Sequence, residues 1–303
     1  MRRYASLVGT TLLTLALTAP SWPHPRALTR TCFGQTPTIV GTPGRDKITG
    51  TPGNDVIVGG TGRDLILGAD GDDFICGNKR RDRLYGDAGD DHIRGGRGRD
   101  SLDFVGGEAG NDVLRGGPEA DKLGAGGGNN QMFGGTEPDY FLDGPGDNQI
   151  SGGADPDSID FAYLPGPVPV TVDLGAHVAT GAGNDQLRSI RNVYGSVADD
   201  DKLVGNSFDN ILGGLGGADV LRGRGGDDEL WGHSGDDEVF GGGGSDELSG
   251  YGGEDGDDSY FGKEGSDQIS VADGVSGNDY VDGGGQTGDV CDADPGDDLV
   301  NCP

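Results

Sequence analysis

The sequence is short of almost everything that builds a globular core or a familiar catalytic centre. Hydrophobic residues make up 32% of its 303 positions and aromatics 6%, with two Met and two Trp. A chain this poor in apolar side chains resembles a disordered one more than a globular one. Basic residues are scarce as well: 22 Lys and Arg stand against 52 Asp and Glu, for a net charge of −30. That balance excludes a nucleic-acid partner, which needs a basic surface. Histidine is rarer still. His24 lies near the N-terminus, His92 at an outward strand position, His177 in a proline-flanked segment and His233 in a turn. This scatter makes neither a catalytic triad nor a zinc site. The P-loop, G-x-S-x-G and H-E-x-x-H patterns are absent, and glycine-rich matches to dinucleotide fingerprints open no helix after a strand.

Long apolar runs are missing too, with one exception. Arg2 and Arg3 precede an apolar stretch from Leu7 to Ala19, which is too short to cross a bilayer comfortably. It reads as a secretory signal peptide within residues 1–27, cleaved after Ala19 or Ala27. The alternative is an uncleaved membrane anchor. On the signal reading the mature chain has no membrane span and is extracellular. Four cysteines, an even number in an exported chain, then imply two disulfides.

What is present in excess is glycine, 64 residues of it, and it is periodic. GTPGNDVIV (50–58) and GGTGRDLIL (59–67) are one nine-residue phrase: Gly first, Gly again at the fourth position, Asp at the sixth and an aliphatic at the eighth. The fourth-position glycine permits a turn with positive φ. The Asp aims a carboxylate into that turn. The last three residues form a short strand whose middle side chain points inward. Burying one Ile or Leu is worth roughly 1.5–3 kcal/mol, whereas ordering nine residues costs about 1–2 kcal/mol each. No unit folds alone, so the units must stack. Stacking brings like carboxylates together, and a cation must separate them. Carboxylates and turn carbonyls form a hard oxygen site that suits Ca²⁺.

The fold class expected is all-β, a parallel β-roll solenoid in two arrays. The first array, with its N-terminal cap, occupies 28–160 and places Asp46, Asp55, Asp64, Asp73, Asp91, Asp100 and Asp112 at the sixth position. The second occupies 205–290 and places Asp219, Asp228, Asp237, Asp246, Asp258, Asp267 and Asp279 there. These are the candidate metal ligands. Three-residue slips at Phe104–Gly106, Gly250–Gly252 and Val271–Asp273 lengthen a loop without changing the turn. In GNKRRDRLY (77–85), Arg80 replaces the glycine, so Asp82 is set aside as a poor calcium ligand, with a neighbouring basic side chain to take the metal's place. From Gly116 to Asp160 one edge gains Glu119, Glu137 and Asp155 at the fourth position. The other loses acid at Asn130 and Asn148, so metal sites there are expected to be weaker or built differently.

The phrase resembles G-G-x-G-x-D-x-U-x, with U a large aliphatic, the repeat of the RTX or haemolysin-type calcium-binding family. The resemblance implies a secreted bacterial protein in which two units make one coil. It also implies Ca²⁺ ions between turns on the same edge, with Asp carboxylates and turn carbonyls as ligands. Residues 161–204, in particular VTVDLGAHVATG and GNDQLRSIRNVYGS, resemble a connector between such arrays. Within it, Val168, Val170, Val172 and Leu174 alternate as a strand does. In the tail, 291–303, a Cys291–Cys302 disulfide would close the open end. Cys32 and Cys76 remain as a pair. In an ideal roll they lie two coils, roughly 10 Å, apart, so their bond requires the chain before Gly41 to fold back.

The partners expected are calcium ions and, beyond them, a cell surface or a polysaccharide. A structural or adhesive role follows from a chain that leaves no stretch for an appended catalytic domain. The alternative is a polysaccharide-acting enzyme or carbohydrate-binding β-solenoid, for which an outward aromatic stripe would be the sign. Trp231 and Phe240 sit on successive units, hence opposite faces, and no stripe is expected. A metal-independent solenoid is the third reading.

Overall fold

The computed structural model describes residues 31–102, 110–124, 126–250, 256–272 and 278–302. Outside them lie the signal segment 1–27, residues 28–30 of the cap and the slip Phe104–Gly106. Tyr251, Gly252 and Asp273 of the later slips also lie outside. Among the described residues every regular element is a strand, from two to six residues long. Successive units alternate between two sheets, one of 16 strands and one of 13.

The pairing register shows why such short strands hold. In one sheet Ile57 lies opposite Ile75, which lies opposite Ile93. In the other, Ile48, Ile66, Leu84 and Leu102 follow one another in the same way. Each eighth-position side chain therefore stacks on its counterpart one coil away, and the column is sealed: Ile57, Ile66, Ile75 and Leu84 are fully buried. A single core cluster runs from Ile57 to Val281. At the slips the step between partners grows from 18 to 21 residues. Ile93 meets Leu114, Leu102 meets Leu123, Val239 meets Tyr260 and Leu248 meets Ile269. The core register survives the insertions.

The segment 161–204 is threaded into both sheets. Val170, Val172 and Leu174 are buried around the strand Thr171–Asp173. The strand Val178–Thr180 runs antiparallel both to that strand and to Asn184–Arg188. One sheet thus takes in a three-strand meander where the other takes in only Ile190–Tyr194. Leu187 lies opposite Ile150, and Val193 lies between Ile159 and Leu212, so the core passes through. Arg224 clamps Asp173 with two hydrogen bonds, 2.8 and 3.0 Å, fastening the meander to the following coils. The outward aromatics differ from expectation. Phe240 and Phe261, two units apart and so on one face, stack with centroids 4.8 Å apart, and Tyr280 continues the row.

Both ends are tied. Cys32 and Cys76 are bonded with Cα atoms 5.7 Å apart. The chain at Cys32–Gln35 turns back through a small bridge, and Phe33 packs on Phe74 and His92. Cys291 stands in the core column opposite Ile269 and bonds Cys302. Because the first bond closes a span of 44 residues, loop-closure entropy gives it about 4 kcal/mol. Cys32→Ser with Cys76→Ser is expected to lower the unfolding free energy by that order, read as a drop in urea midpoint with a slope that rises as the unfolded chain expands.

Candidate metal centres at the stacked turns

The turn that joins two strands is built from two left-handed residues. The fourth position is one of them in many of the coils: Gly235 has φ +119°, whereas Gly44, Gly53, Gly62 and Gly110 hold that position outside the left-handed region. A Cβ on Gly235 would sit 2.0 Å from the Gly217 carbonyl oxygen of the coil below, so glycine is needed for stacking as well as for φ. The second position is the other, and sequence reasoning missed it. Leu215, Arg224, His233 and Lys263 occupy it with φ between +71° and +80°. The side-chain variety there hides the conformational constraint. Arg80, Glu119, Glu137 and Asp155 do adopt the left-handed conformation at the fourth position, with φ from +62° to +74°. Gly235→Ala adds both strain and a clash with backbone. It is expected to cost about 3 kcal/mol or more, read by denaturant melts in saturating Ca²⁺.

The first glycine makes room for the carboxylate. A Cβ on Gly232 would lie 2.3 Å from Asp237 Oδ2, and one on Gly223 would lie 2.1 Å from Asp228 Oδ2. The other carboxylate oxygen is fixed by the ladder. The Asp219 N–H donates to Asp237 Oδ1 at 2.8 Å, and the Asp237 N–H to Asp258 Oδ1 at 2.8 Å. Asp55 does the same to Asp73, and Asp91 to Asp112. Oδ1 thus belongs to the backbone of the neighbouring coil. Oδ2 lacks such a partner: in Asp64, Asp73, Asp100, Asp112, Asp219, Asp228, Asp237, Asp246 and Asp267 it is buried without a hydrogen-bond partner. Leaving a buried acceptor unmet is costly, more so when it is charged.

Two turns with Asn at the sixth position, those of Asn130 and Asn148, reveal what Oδ2 faces; in a third, Asn210 Nδ2 donates instead to the Arg191 carbonyl at 2.9 Å. Asn148 keeps the ladder, accepting the Asn130 N–H on Oδ1 at 2.9 Å. Its Nδ2 takes the place of Oδ2 and donates to the carbonyls of Gly144 and Gly146, at 3.0 and 3.4 Å. Asn130 Nδ2 donates likewise to Gly128 at 3.2 Å. The second and fourth carbonyls therefore converge where Oδ2 lies. An amide fills that spot with donors, whereas a carboxylate sets a negative oxygen among carbonyl oxygens. A cation is the complement. Among the described residues no three acidic, histidine or cysteine side chains converge, so carbonyls must supply much of the oxygen shell. That donor set, all oxygen and partly backbone, fits Ca²⁺. Bound there, the ion would offset the stacked charge and tie the turns of adjacent coils together.

Electrostatics point the same way. Burial drives the Asp237 carboxyl up to about 8; the Asp219 N–H opposes this, while the charges of Asp219, Asp258 and Asp236 reinforce it. Burial does the same to Asp121, to about 8, and to Asp82, Asp219 and Asp228, to about 7. The first coils differ. Asp46 and Asp55 have their Oδ2 capped by the N–H groups of Thr42 and Thr51. Burial raises Asp55, but the Thr51 N–H, the Thr51 hydroxyl and the Thr38 hydroxyl outweigh it, and its pKa is lowered. Asp258 and Asp279 take their places in the ladder, each accepting an N–H from the coil below.

Several aspartates outside the candidate set share its geometry. Asp82 accepts the Asp64 N–H at 2.8 Å and keeps an unpartnered Oδ2. The basic side chains around it do not replace a metal: Arg81 donates instead to the Arg99 carbonyl, at 3.2 Å. Asp121, Asp139, Asp157, Asp185 and Asp289 also have an orphan Oδ2. In residues 116–160 the acid-rich edge thus retains the orphan Oδ2, while on the other edge Asn130 and Asn148 meet carbonyls and Asp143, which accepts from Asn148 Nδ2 at 3.1 Å, keeps an orphan Oδ2 of its own. The sixth-position period marks these residues; loss of the fourth glycine is a poor reason to exclude them. Tyr260 is a further addition. It fills a core position, and its buried hydroxyl lies against the Gly232 backbone, 2.6 Å from where a Cβ on Gly232 would sit, beside Asp237 Oδ2.

An all-β solenoid that lines two edges with buried, unpaired carboxylates and converging carbonyls is a β-roll of the calcium-binding type. The RTX calcium-binding nonapeptide repeat matches residues 40–75, 67–102, 106–141, 124–159, 197–228, 213–248 and 253–269. These matches together span more than half of the chain, which belongs to this family. A comparison with curated proteins returned no match. Among the described residues no helix is long and apolar enough to cross a membrane.

Proposed function

We propose that this is a secreted protein whose β-roll folds on binding several Ca²⁺ ions between stacked turns, and whose rigid acidic roll serves a structural or adhesive role outside the cell. The observation that carries this reading is the contrast between the Asp turns, with an orphan Oδ2, and the Asn turns, where an amide meets the carbonyls. Metal-coupled folding follows from it, since the ion's binding energy becomes folding energy. The ligands proposed are the sixth-position aspartates from Asp46 to Asp279, with Asp82, Asp121, Asp139, Asp157, Asp185 and Asp289 added. The division into arrays at 28–160 and 205–290, with 161–204 as connector and 291–303 as tail, is part of the proposal. So is the signal peptide at 1–27. Expression of the whole chain in a bacterial host tests export: N-terminal sequencing of supernatant protein is expected to begin after Ala19 or Ala27. Retention in the membrane fraction with Met1 intact would contradict it. Direct calcium titration by calorimetry tests the metal, with Mg²⁺ expected to substitute poorly in so carbonyl-rich a site.

A further inference from the structure

The fifth position of the repeat carries a second pattern that calcium ligation does not use. On one edge of the roll it forms an Asx ladder. The Asp90 N–H donates to Asp72 Oδ1, the Asn111 N–H to Asp90 Oδ1 and the Asn129 N–H to Asn111 Oδ1, at 2.7–3.1 Å. On the opposite edge of the same coils the fifth position is Arg45, Arg63, Arg81 and Arg99, one per 18 residues. The strands that follow pair in register, Lys47 with Leu65, Leu65 with Arg83 and Arg83 with Ser101. The four arginines therefore rise as a column at the strand spacing of about 4.8 Å.

All four are exposed. The Arg81 Nε–H donates to the Arg99 carbonyl. Among the described residues neither Arg45, Arg63 nor Arg99 has a carboxylate within ion-pair distance; the ion pairs there are Arg222–Glu238 and Arg224–Asp173. Like charges this close repel by roughly 1 kcal/mol per pair even in water; the carboxylates of the same edge offset this in part, since Arg81 acts on Asp100. Beside the upper half of the column lies a depression of about 590 Å³. Arg81, Arg83, Arg99 and Lys122 contribute positive charge to its wall, Asp82 and Asp100 contribute carboxylates, and Tyr85 and Tyr140 contribute rings, with the Lys122 ammonium 5.0 Å from the Tyr140 centroid. At physiological salt, charges more than about 8 Å away are screened, so the strip acts through its own arginines rather than through the net charge of −30.

We infer that this edge binds a linear acidic polysaccharide, its carboxylate or sulfate groups meeting the arginine column and its sugar rings lying on Tyr85 and Tyr140. The guanidinium fork matches carboxylate and sulfate geometry, and a polymer with regularly spaced anions matches a column with regularly spaced cations. The inference rests on the calcium reading in one respect. The arginines directly precede Asp46, Asp64, Asp82 and Asp100 in the chain, and ions held by those carboxylates leave the arginine charge uncompensated. Binding is therefore coupled to calcium.

The test uses the full mature chain, with labelled oligogalacturonide, heparin oligosaccharide and single-stranded DNA of similar length as probes. Circular dichroism in the same samples reports folding. The calcium-loaded protein is expected to bind one of the two saccharides with an affinity that falls steeply with salt. Arg45→Gln, Arg63→Gln, Arg81→Gln and Arg99→Gln together are expected to weaken it at least tenfold without altering calcium-dependent compaction. Arg81→Gln with Arg99→Gln alone is the fallback if the fourfold variant does not fold, with a several-fold loss. Tyr85→Ala with Tyr140→Ala is expected to weaken saccharide binding and leave DNA binding unchanged. Which saccharide binds separates carboxylate from sulfate as the anion. A folded wild type that binds neither saccharide, or arginine variants that bind as it does, overturns the inference and leaves the calcium reading intact. DNA binding as tight as saccharide binding, unmoved by the tyrosine variant, overturns the polysaccharide assignment. A chain already folded in chelator contradicts the calcium reading instead, and the same titration on that chain still decides the strip.

Discussion

Stripped of divalent ions, the protein is expected to fold as the pH falls and to come apart as it rises. The sign follows from the sixth-position carboxyls. Their unfolded value is near 3.8, and burial with neighbouring charge raises them to about 6 in Asp73, Asp100 and Asp112, about 7 in Asp82 and Asp139, and about 8 in Asp121 and Asp237. Between these limits the folded chain holds more protons than the unfolded one, so stability falls as pH rises. The contribution is fully present below about pH 4 and is lost progressively through pH 6–8, the range of the raised values. Protons and calcium thus perform one task, neutralising Oδ2. Far-UV circular dichroism in chelator is expected to show β structure near pH 4 and little at pH 8. Calcium at pH 8 is expected to restore it, and the calcium concentration required should rise as the pH is lowered toward 6. A chelated protein equally folded at both values would mean that the carboxyls are not titrating within the roll.

The second large effect comes from exchanging one atom. Asp219→Asn with Asp237→Asn keeps Oδ1 for the backbone ladder and turns the orphan oxygen into an amide, as Asn148 already does against Gly144 and Gly146. The metal-free roll is expected to gain about 1–3 kcal/mol per site, the cost of an unmet buried acceptor. Calcium stoichiometry is expected to fall at the same time. Asp219→Ala with Asp237→Ala removes the acceptor as well and leaves buried N–H groups behind. It should lower both metal-free stability and calcium binding. Urea melts in chelator separate the two pairs, since the Asn and Ala variants move in opposite directions. Asn variants that destabilise the chelated chain as much as the Ala variants do would show that Oδ2 has another partner.

Most of this architecture was legible because the repeat is a structural period. Ile57, Ile75 and Ile93 recur every 18 residues, and a fixed period leaves the chain little choice but to stack them. Ladder geometry was less legible. Which carboxylate oxygen faces the backbone and which faces the turn depends on the relation between coils, and no single unit contains it. Nor could the second position be recognised, since Leu215, Arg224 and His233 look unremarkable until their positive φ is seen. The strand Val178–Thr180 reverses direction inside an otherwise parallel sheet, and the alternation at Val168–Leu174 does not reveal that Thr171–Asp173 pairs with it. The Phe240–Phe261 stack is invisible between successive units, because same-face neighbours here lie two units apart. The Cys32–Cys76 bond was anticipated only on condition that the chain turn back, and Phe33 on Phe74 and His92 supplies the contact that holds it there.

The central claim is that calcium between stacked turns makes the roll fold. The most direct measurement is a calcium titration of the chelated chain from residue 28 onward, at neutral to mildly alkaline pH, followed by far-UV circular dichroism and hydrodynamic radius together. The expected result is an expanded chain that gains β structure and contracts over one calcium range, with Mg²⁺ failing to produce either change. A chain already compact and β-rich in chelator at pH 8, unmoved by calcium, would contradict the claim. The fold would then be held by its aliphatic column and two disulfides.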